Sequence, residues 1–178
     1  MLKSLILALV AFAAFSTIHA QNEAAPPPTD AQIAMIAVTA NSVDIDTAKM
    51  AKQNTSNKAV KEFADTMVRD HTAVNAKATA LVKKLGVTPE ESDTSRSLRS
   101  DGDKKMEELK AMTGTEFDKA YIDNEVNYHE AVLGVLDKTL IPNTRNAELK
   151  SLLESARPIF VSHLDHAKKL QASLSKQD

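Results

Sequence analysis

The chain has 178 residues, a formal net charge of −2 and no cysteine. The length fits one domain, and the lack of cysteine excludes disulfides, thiolate nucleophiles, cysteine-ligated zinc, iron–sulfur clusters and a lipidated lipoprotein cysteine. The near-neutral charge gives no reason to expect nucleic acid as a partner, and the four glycines and six prolines favour an all-helical domain.

The first 20 residues have the pattern of a bacterial secretory signal peptide. A single lysine, Lys3, precedes an apolar run from Leu5 to Phe15, too short for the roughly 20 residues of a membrane-spanning helix. We expect cleavage after Ala20, with an uncleaved anchor as the alternative. We therefore expect a periplasmic protein without an integral membrane segment. Association with the outer membrane and release from the cell both remain open.

A proline-rich linker at 21–29 precedes the first two predicted helices. The first helix covers about 30–53, and Thr29 with a glutamine three residues later forms the capping box that starts it. The second helix starts at the N-cap Ser56 and carries a sustained apolar stripe. Gly86 supplies the stop signal at its end.

The second half of the chain predicts a long connection and two more helices. Residues 87–114 are polar and contain proline and glycine, which indicates a crossover with one or two short helices. Thr115 is the expected N-cap of a third long helix over about 116–140, which Pro142 stops. A fourth helix follows over about 144–175.

These elements predict an all-α fold, a ferritin-like four-helix bundle over residues 30–176. One long crossover between the second and third long helices is typical of ferritin-like bundles, whereas cytokine bundles have two. Pro158 falls inside the fourth helix. We expect it on the outer side, where it kinks the helix.

Five polar residues fall on the apolar faces of these helices: Asp44, His71, Glu125, His129 and His163. Buried polar groups cost free energy unless they are satisfied, so a broken apolar pattern marks a candidate site. Each residue lies near the middle of its helix. Counted from their shared turn, Asp44 and His71 differ in level by roughly 7 Å, while Glu125 and His163 are nearly level.

Two interpretations of these five residues stay open. Imidazole nitrogens and carboxylate oxygens suit one ion of iron, zinc, manganese or copper. The same groups can also hydrogen-bond to each other, fix the register of the helices and bind no cofactor. Asp70 neighbours one of the histidines in sequence, but its helical position predicts that it points elsewhere.

Three motifs resemble a known family: F-A-x-x-M-V-x-D-H at 63–71, F-D-x-x-Y at 117–121 and H-L at 163–164. The chain is similar over about 30–174 to exported bacterial proteins of unknown function that commonly carry the label "predicted outer membrane protein". The resemblance implies a ferritin-like bundle. Nothing in the sequence indicates a transmembrane barrel.

The resemblance also bears on the candidate site. It implies that His71, His129 and His163 occupy the recurring histidine positions of the family, and that Asp44 stands where the family often has glutamate. The family has no established reaction.

A di-iron enzyme is disfavoured, because ferritin-like di-iron sites need a Glu-x-x-His pair on each of two helices. Val68 and Phe160 stand where those glutamates would precede His71 and His163. We expect a non-catalytic binding or stress-related protein and assign no catalytic residue. A metal-dependent redox or hydrolytic enzyme and a purely structural or interaction module are the alternatives. The protein partner and any homo-oligomer are open.

Overall fold

The computed structural model describes residues 26–176 of the chain. The expected signal peptide at 1–20 and linker residues 21–25 lie outside the described residues. Thr29 precedes the first helix, and its hydroxyl accepts a hydrogen bond from the backbone N–H of Gln32. The Gln32 side chain accepts in return from the backbone N–H of Thr29, which confirms the predicted capping box.

Long helices dominate the described residues and confirm the predicted all-α bundle. The helices are α1 (Asp30–Asn54), α2 (Lys58–Leu85), α3 (Asp93–Lys110), α4 (Gly114–Val135), α5 (Ile141–Asn143) and α6 (Ala147–Leu174). The connection between α2 and α4 is the predicted crossover. It holds a single helix of 18 residues, α3, where shorter helices were expected.

Two predicted helix starts are wrong and one predicted stop is confirmed. The N-cap of α2 is Asn57 and not Ser56, because the side-chain Oδ1 of Asn57 accepts from two backbone N–H groups of the first turn. Thr113 and not Thr115 precedes α4, which begins one residue later. Gly86 ends α2 with φ of 65°, the left-handed conformation that glycine adopts without strain.

The third long helix does not stop at Pro142 as predicted. It passes from α4 through a π-helical turn, Leu136–Leu140, into α5, and ends at Thr144. Proline lacks an N–H, and its ring conflicts with the carbonyl one turn earlier. In the wider turn, the Ile141 N–H bonds to the Leu136 carbonyl, so the chain completes a last turn around the proline.

The last helix starts slightly later than expected and contains a proline on its outer side. Asn146 is the N-cap of α6, and its side chain accepts from two backbone N–H groups of the first turn. Pro158 lies within the helix and is exposed, as predicted. On that side the ring faces solvent, so the apolar face of α6 stays intact.

The core consists of two apolar clusters at opposite ends of the bundle. One cluster combines the C-terminal halves of α1 and α6 with the N-terminal halves of α2 and α4 and includes Ala48, Phe63, Met67, Tyr121 and Ala167. The other contains residues from the opposite halves, among them Ile36, Val74, Leu133, Leu153 and Phe160. This arrangement makes α2 and α4 parallel, which requires the long crossover between them. None of the helices within residues 26–176 is long and apolar enough to cross a membrane.

Candidate metal centre

A buried polar layer separates the two apolar clusters. It contains the five residues predicted from the sequence, each only 1–3% exposed: Asp44, His71, Glu125, His129 and His163. On every helix the polar residue lies between apolar residues of the two clusters, as in α2, where Met67 precedes His71 and Val74 follows it. The structure therefore brings all five predicted residues together.

The side chains of this layer lie within a few ångströms of one another. Asp44 Oδ2 is 3.4 Å from His71 Nε2 and 3.6 Å from His129 Nε2, and Glu125 Oε2 is 3.6 Å from His129 Nδ1. One ligand atom from each of the three histidines lies within 4.8 Å of the others, and the same holds for the set of Asp44, Glu125 and His129. His129 belongs to both sets.

The ring of His71 is held by an asparagine of α1. Asn41 Nδ2 donates to the Ala37 carbonyl at 2.9 Å, which turns the amide oxygen of Asn41 toward His71. His71 Nδ1 lies 2.7 Å from that oxygen and must be the donor. The lone pair of the ring is therefore on Nε2, the nitrogen that faces Asp44.

The ring of His129 is held by its own helix. Its Nδ1 lies 3.0 Å from the backbone carbonyl oxygen of Glu125, which can only accept, so Nδ1 carries the proton. The Nε2 atom then has the lone pair and points toward Asp44. Spacing of four residues puts Glu125 and His129 on one face, as the sequence predicted.

His163 is held by Asp70, which corrects the prediction that Asp70 points elsewhere. Asp70 Oδ2 lies 3.0 Å from His163 Nε2. Arg69 donates to both oxygens of the same carboxylate at 2.7 and 3.1 Å and keeps the pKa of Asp70 below its usual value. His163 Nε2 therefore donates to a carboxylate, and Nδ1 has the lone pair.

Asn41 and Asp70 were not predicted as parts of the site, although each left a partial signal in the sequence. Asn41 lies one turn before Asp44 on a largely apolar helix. Asp70 precedes His71 by one residue, which turns it about 100° around α2 and toward α6. Only the arrangement of the helices shows that His163 lies there.

Several atoms of the layer have no hydrogen-bond partner among the described residues. They are both carboxylate oxygens of Asp44, Glu125 Oε2, His71 Nε2, His129 Nε2 and His163 Nδ1. A buried polar atom without a partner costs about 1–3 kcal/mol. The outward-facing nitrogens of the layer are therefore bonded, whereas its inward-facing atoms have no bonded partner among the described residues.

Burial sets the protonation of the layer. It raises the pKa of the Asp44 carboxyl from 3.8 to about 8 and raises the pKa of Glu125 well above its ordinary value, with a further contribution from the Asp44 charge. Burial also lowers the pKa of His129 to about 4 and the pKa values of His71 and His163 below the ordinary value. The three imidazoles are therefore neutral near pH 7, the form that binds a metal.

The apparent difference in level between Asp44 and His71 also has a structural explanation. His71 lies level with Asn41, three residues farther from the shared turn than Asp44, as the 2.7 Å contact shows. The imidazole ring spans the remaining distance, since its second nitrogen lies 3.4 Å from Asp44. The ring therefore bridges one helical turn of α1.

Fold and site together define a helical bundle protein with a buried layer of histidines and carboxylates. The family model described as "Domain of unknown function (DUF4142)" matches residues 16–170, so the chain belongs to this family. No curated protein matches the chain significantly.

A solved structure has a similar fold. It is the crystal structure of a DUF305 protein from Streptomyces coelicolor that is described as secreted. The TM-score is 0.68 at 13% sequence identity, and the match covers 82% of this chain and 93% of that chain. At this identity the similarity shows the fold alone.

Proposed function

We propose that this protein binds one divalent transition-metal ion in the polar layer, with His71, His129, His163, Asp44 and Glu125 as the ligands. One observation carries the proposal. Each imidazole donates its outer N–H to a fixed acceptor, so its second nitrogen has a lone pair without a partner, and two of these nitrogens, His71 Nε2 and His129 Nε2, lie 3.4 and 3.6 Å from Asp44. Neutral imidazole nitrogens, together with carboxyl groups that lose their protons when a metal binds, match a cation.

The outer partners act as supports for the ligands. A histidine that ligates a metal commonly donates its other N–H to a carboxylate, a backbone carbonyl or an amide, which fixes the tautomer and the ring orientation. Asp70, the Glu125 carbonyl and Asn41 are one partner of each kind. This variety indicates three independently oriented ligands.

The donor set limits the choice of metal. Three imidazoles and two carboxylates are borderline-hard ligands that suit iron, zinc, manganese or divalent copper. Met67 belongs to the neighbouring apolar cluster. Its thioether therefore packs against apolar side chains and is not one of the proposed ligands. Two carboxylates are too few for the di-iron centre of ferritin-like enzymes, which uses four.

In this account the protein is an exported, ferritin-like metal-binding protein with its domain at residues 30–176. Support comes from the signal-like pattern of the first 20 residues, from the bundle topology and from the polar layer. A metal-dependent redox or hydrolytic enzyme is the second candidate, because a cavity between α1, α3 and α4 reaches Asp44 and Glu125.

Metal content of the untagged protein tests the proposal. We expect about one metal ion per chain, measured by elemental analysis after purification of residues 21–178 from the periplasm. His71→Gln and Glu125→Gln remove the ion, because each deletes a ligand while nearly preserving side-chain volume. The matched control His166→Gln retains it, since His166 is an exposed histidine on the same helix as His163.

A different result would contradict the proposal. Metal below about one ion per ten chains, together with an unchanged melting temperature in excess iron, zinc, manganese or copper, shows that the layer is not a metal site. Ligand variants that retain as much metal as His166→Gln show that the ion binds elsewhere. An ion that binds to the native state but not to the unfolded chain must raise the melting temperature.

A further inference from the structure

The crossover helix α3 covers a cavity that ends at the polar layer. The cavity has a volume of about 330 Å³ and lies between α1, α3 and α4. Asp44 and Glu125 form part of its lining. The remaining wall is mainly apolar and includes Ile36, Ala40, Val43, Leu98, Val132 and Val135.

The shape of the cavity follows from how α3 is held. α3 packs on α1 far more than on α4, which leaves a gap on the α4 side. Gly102 permits the close packing on α1, because a Cβ at this position would lie 2.5 Å from Val43 Cγ1. The rim beside the gap is polar and includes Asp101, Lys105 and Asn127.

The inner end of the cavity differs in chemistry from its walls. Asp44 and Glu125 are each 1% exposed, and both carboxyl oxygens of Asp44 and Oε2 of Glu125 have no hydrogen-bond partner among the described residues. Tyr128 also lines the cavity, but its hydroxyl donates to the Ala40 carbonyl at 2.8 Å, so it presents its ring to the interior. The cavity is thus mainly apolar, with two buried carboxyl groups in its lining.

We propose that this cavity binds a small apolar molecule that carries one neutral metal-ligating donor and delivers this donor to the metal ion past Asp44 and Glu125. The inference rests on the proposed metal site. A volume of about 330 Å³ is at the low end of the range for small-molecule sites, which are typically apolar with a few convergent polar groups. A divalent ion with two carboxylates has no net charge, which favours a neutral donor over an anion.

The test uses cobalt(II) as the metal and 4-phenylimidazole as the probe. Imidazole, which has the same donor without the apolar body, is the matched comparison ligand. The visible spectrum of bound cobalt reports a change of its ligands. We expect 4-phenylimidazole to bind at least about tenfold more tightly than imidazole, because only the phenyl ring gains contact with the apolar wall.

Filling the cavity should remove this preference without removing the metal. Ala131→Phe on α4 and Ala40→Leu on α1 add bulk from two different walls, and neither residue is a metal ligand. We expect the tenfold preference to vanish in at least one of them, with cobalt affinity within about twofold of the wild type. The control Ala76→Phe, at an exposed position of α2, should keep both the preference and the cobalt affinity.

The outcomes separate the two proposals. Failure of cobalt to bind to the wild-type chain overturns both the metal site and the ligand cavity. Cobalt binding with equal affinities for the two imidazoles overturns the cavity alone and leaves the metal site. A preference that survives both Ala131→Phe and Ala40→Leu also overturns it, since the phenyl ring would then lie elsewhere.

Discussion

His163 Nε2 lies 3.0 Å from Asp70 Oδ2, so the carboxylate beside one histidine of the layer orients another histidine on a different helix. Arg69 binds the same carboxylate at the surface of α2. A row of contacts thus runs from the exposed guanidinium of Arg69 through the half-buried carboxylate of Asp70 to the buried imidazole of His163. This arrangement holds one ligand of the proposed centre from outside.

Replacing Asp70 by Asn should weaken metal binding while keeping the fold. The neutral amide accepts the N–H of Nε2 less strongly than the carboxylate does and can also turn its own NH₂ group toward the ring. Supporting partners of metal ligands commonly contribute about 10–100-fold in metal affinity. The measurement is competition between the protein and a chelating dye for zinc. The control Asp65→Asn alters another surface carboxylate of α2, one paired with Lys52. Equal zinc affinities of Asp70→Asn and Asp65→Asn would contradict the role of Asp70.

Removing the amide of Asn41 should destabilise the protein even without metal. In Asn41→Ala, His71 Nδ1 loses the acceptor at 2.7 Å in a place that is closed to water. A buried donor without a partner costs about 1–3 kcal/mol of unfolding free energy. Urea denaturation of the metal-free protein measures this loss. The control Asn54→Ala removes an exposed asparagine of the same helix and should cost less.

The stability of the metal-free protein should fall as the pH rises from 6.5 to 8. Asp44 has a pKa of about 8 in the fold and 3.8 as the ordinary value, so the folded state keeps a proton that the unfolded chain has lost. Stability from this group is complete below pH 3.8 and is lost as the pH rises through 8. The slope is at most about 1.4 kcal/mol per pH unit for one such group.

Between pH 6.5 and 8, the loss of stability caused by Asp44 is separate from the loss caused by the histidines. The lowered pKa of His129 removes stability only as the pH falls from 6.5 toward 4, because there the unfolded chain gains a proton first. Denaturation of the metal-free wild type and Asp44→Asn at several pH values is the measurement. A wild-type slope that is zero, or that persists unchanged in Asp44→Asn, would argue against the carboxyl group as its origin.

Adding a methyl group at Gly102 should destabilise the bundle, whereas the same change at Gly134 should not. A Cβ at position 102 would lie 2.5 Å from Val43 Cγ1, while a Cβ at position 134 meets no atom within 4 Å. Overpacking costs about 1–3 kcal/mol, and glycine to alanine in an open helical position gains up to about 1 kcal/mol. Thermal denaturation of both variants measures the difference.

A double mutant checks the cause of the Gly102 effect. Val43→Ala removes the clashing methyl groups, so Gly102→Ala should cost less in that background than in the wild type. An equal cost in both backgrounds would show that the approach of α3 to α1 does not depend on this contact.

The apolar periodicity of the helices was enough to predict that Asp44, His71, Glu125, His129 and His163 face the interior. His71, Glu125 and His163 interrupt strong stripes, and their direction follows from helix geometry alone. Asp44 lies on a helix that is apolar nearly all round, yet it occupies the interior as expected. The composition and the single long crossover predicted the all-α bundle.

Other features depend on contacts between helices that the sequence does not display. The pairing of Asp70 with His163 needs the relative rotation of α2 and α6, which no local pattern determines. The π-helical turn at Leu136–Leu140 lies just before Pro142 and buries Leu136 and Leu140, and no periodicity of the sequence displays it. The cap positions Asn57 and Thr113 differ from the predicted residues by one or two positions, where several side chains can serve as caps.

The most direct test of the metal centre is anomalous diffraction from crystals grown with zinc or cobalt. We expect one peak in the polar layer, about 2.0–2.1 Å from the inward-facing nitrogens. These are His71 Nε2, His129 Nε2 and His163 Nδ1, each of which lacks a hydrogen-bond partner in the described structure. Crystals that hold the metal at exposed His166 and show no peak within this layer would contradict the central claim.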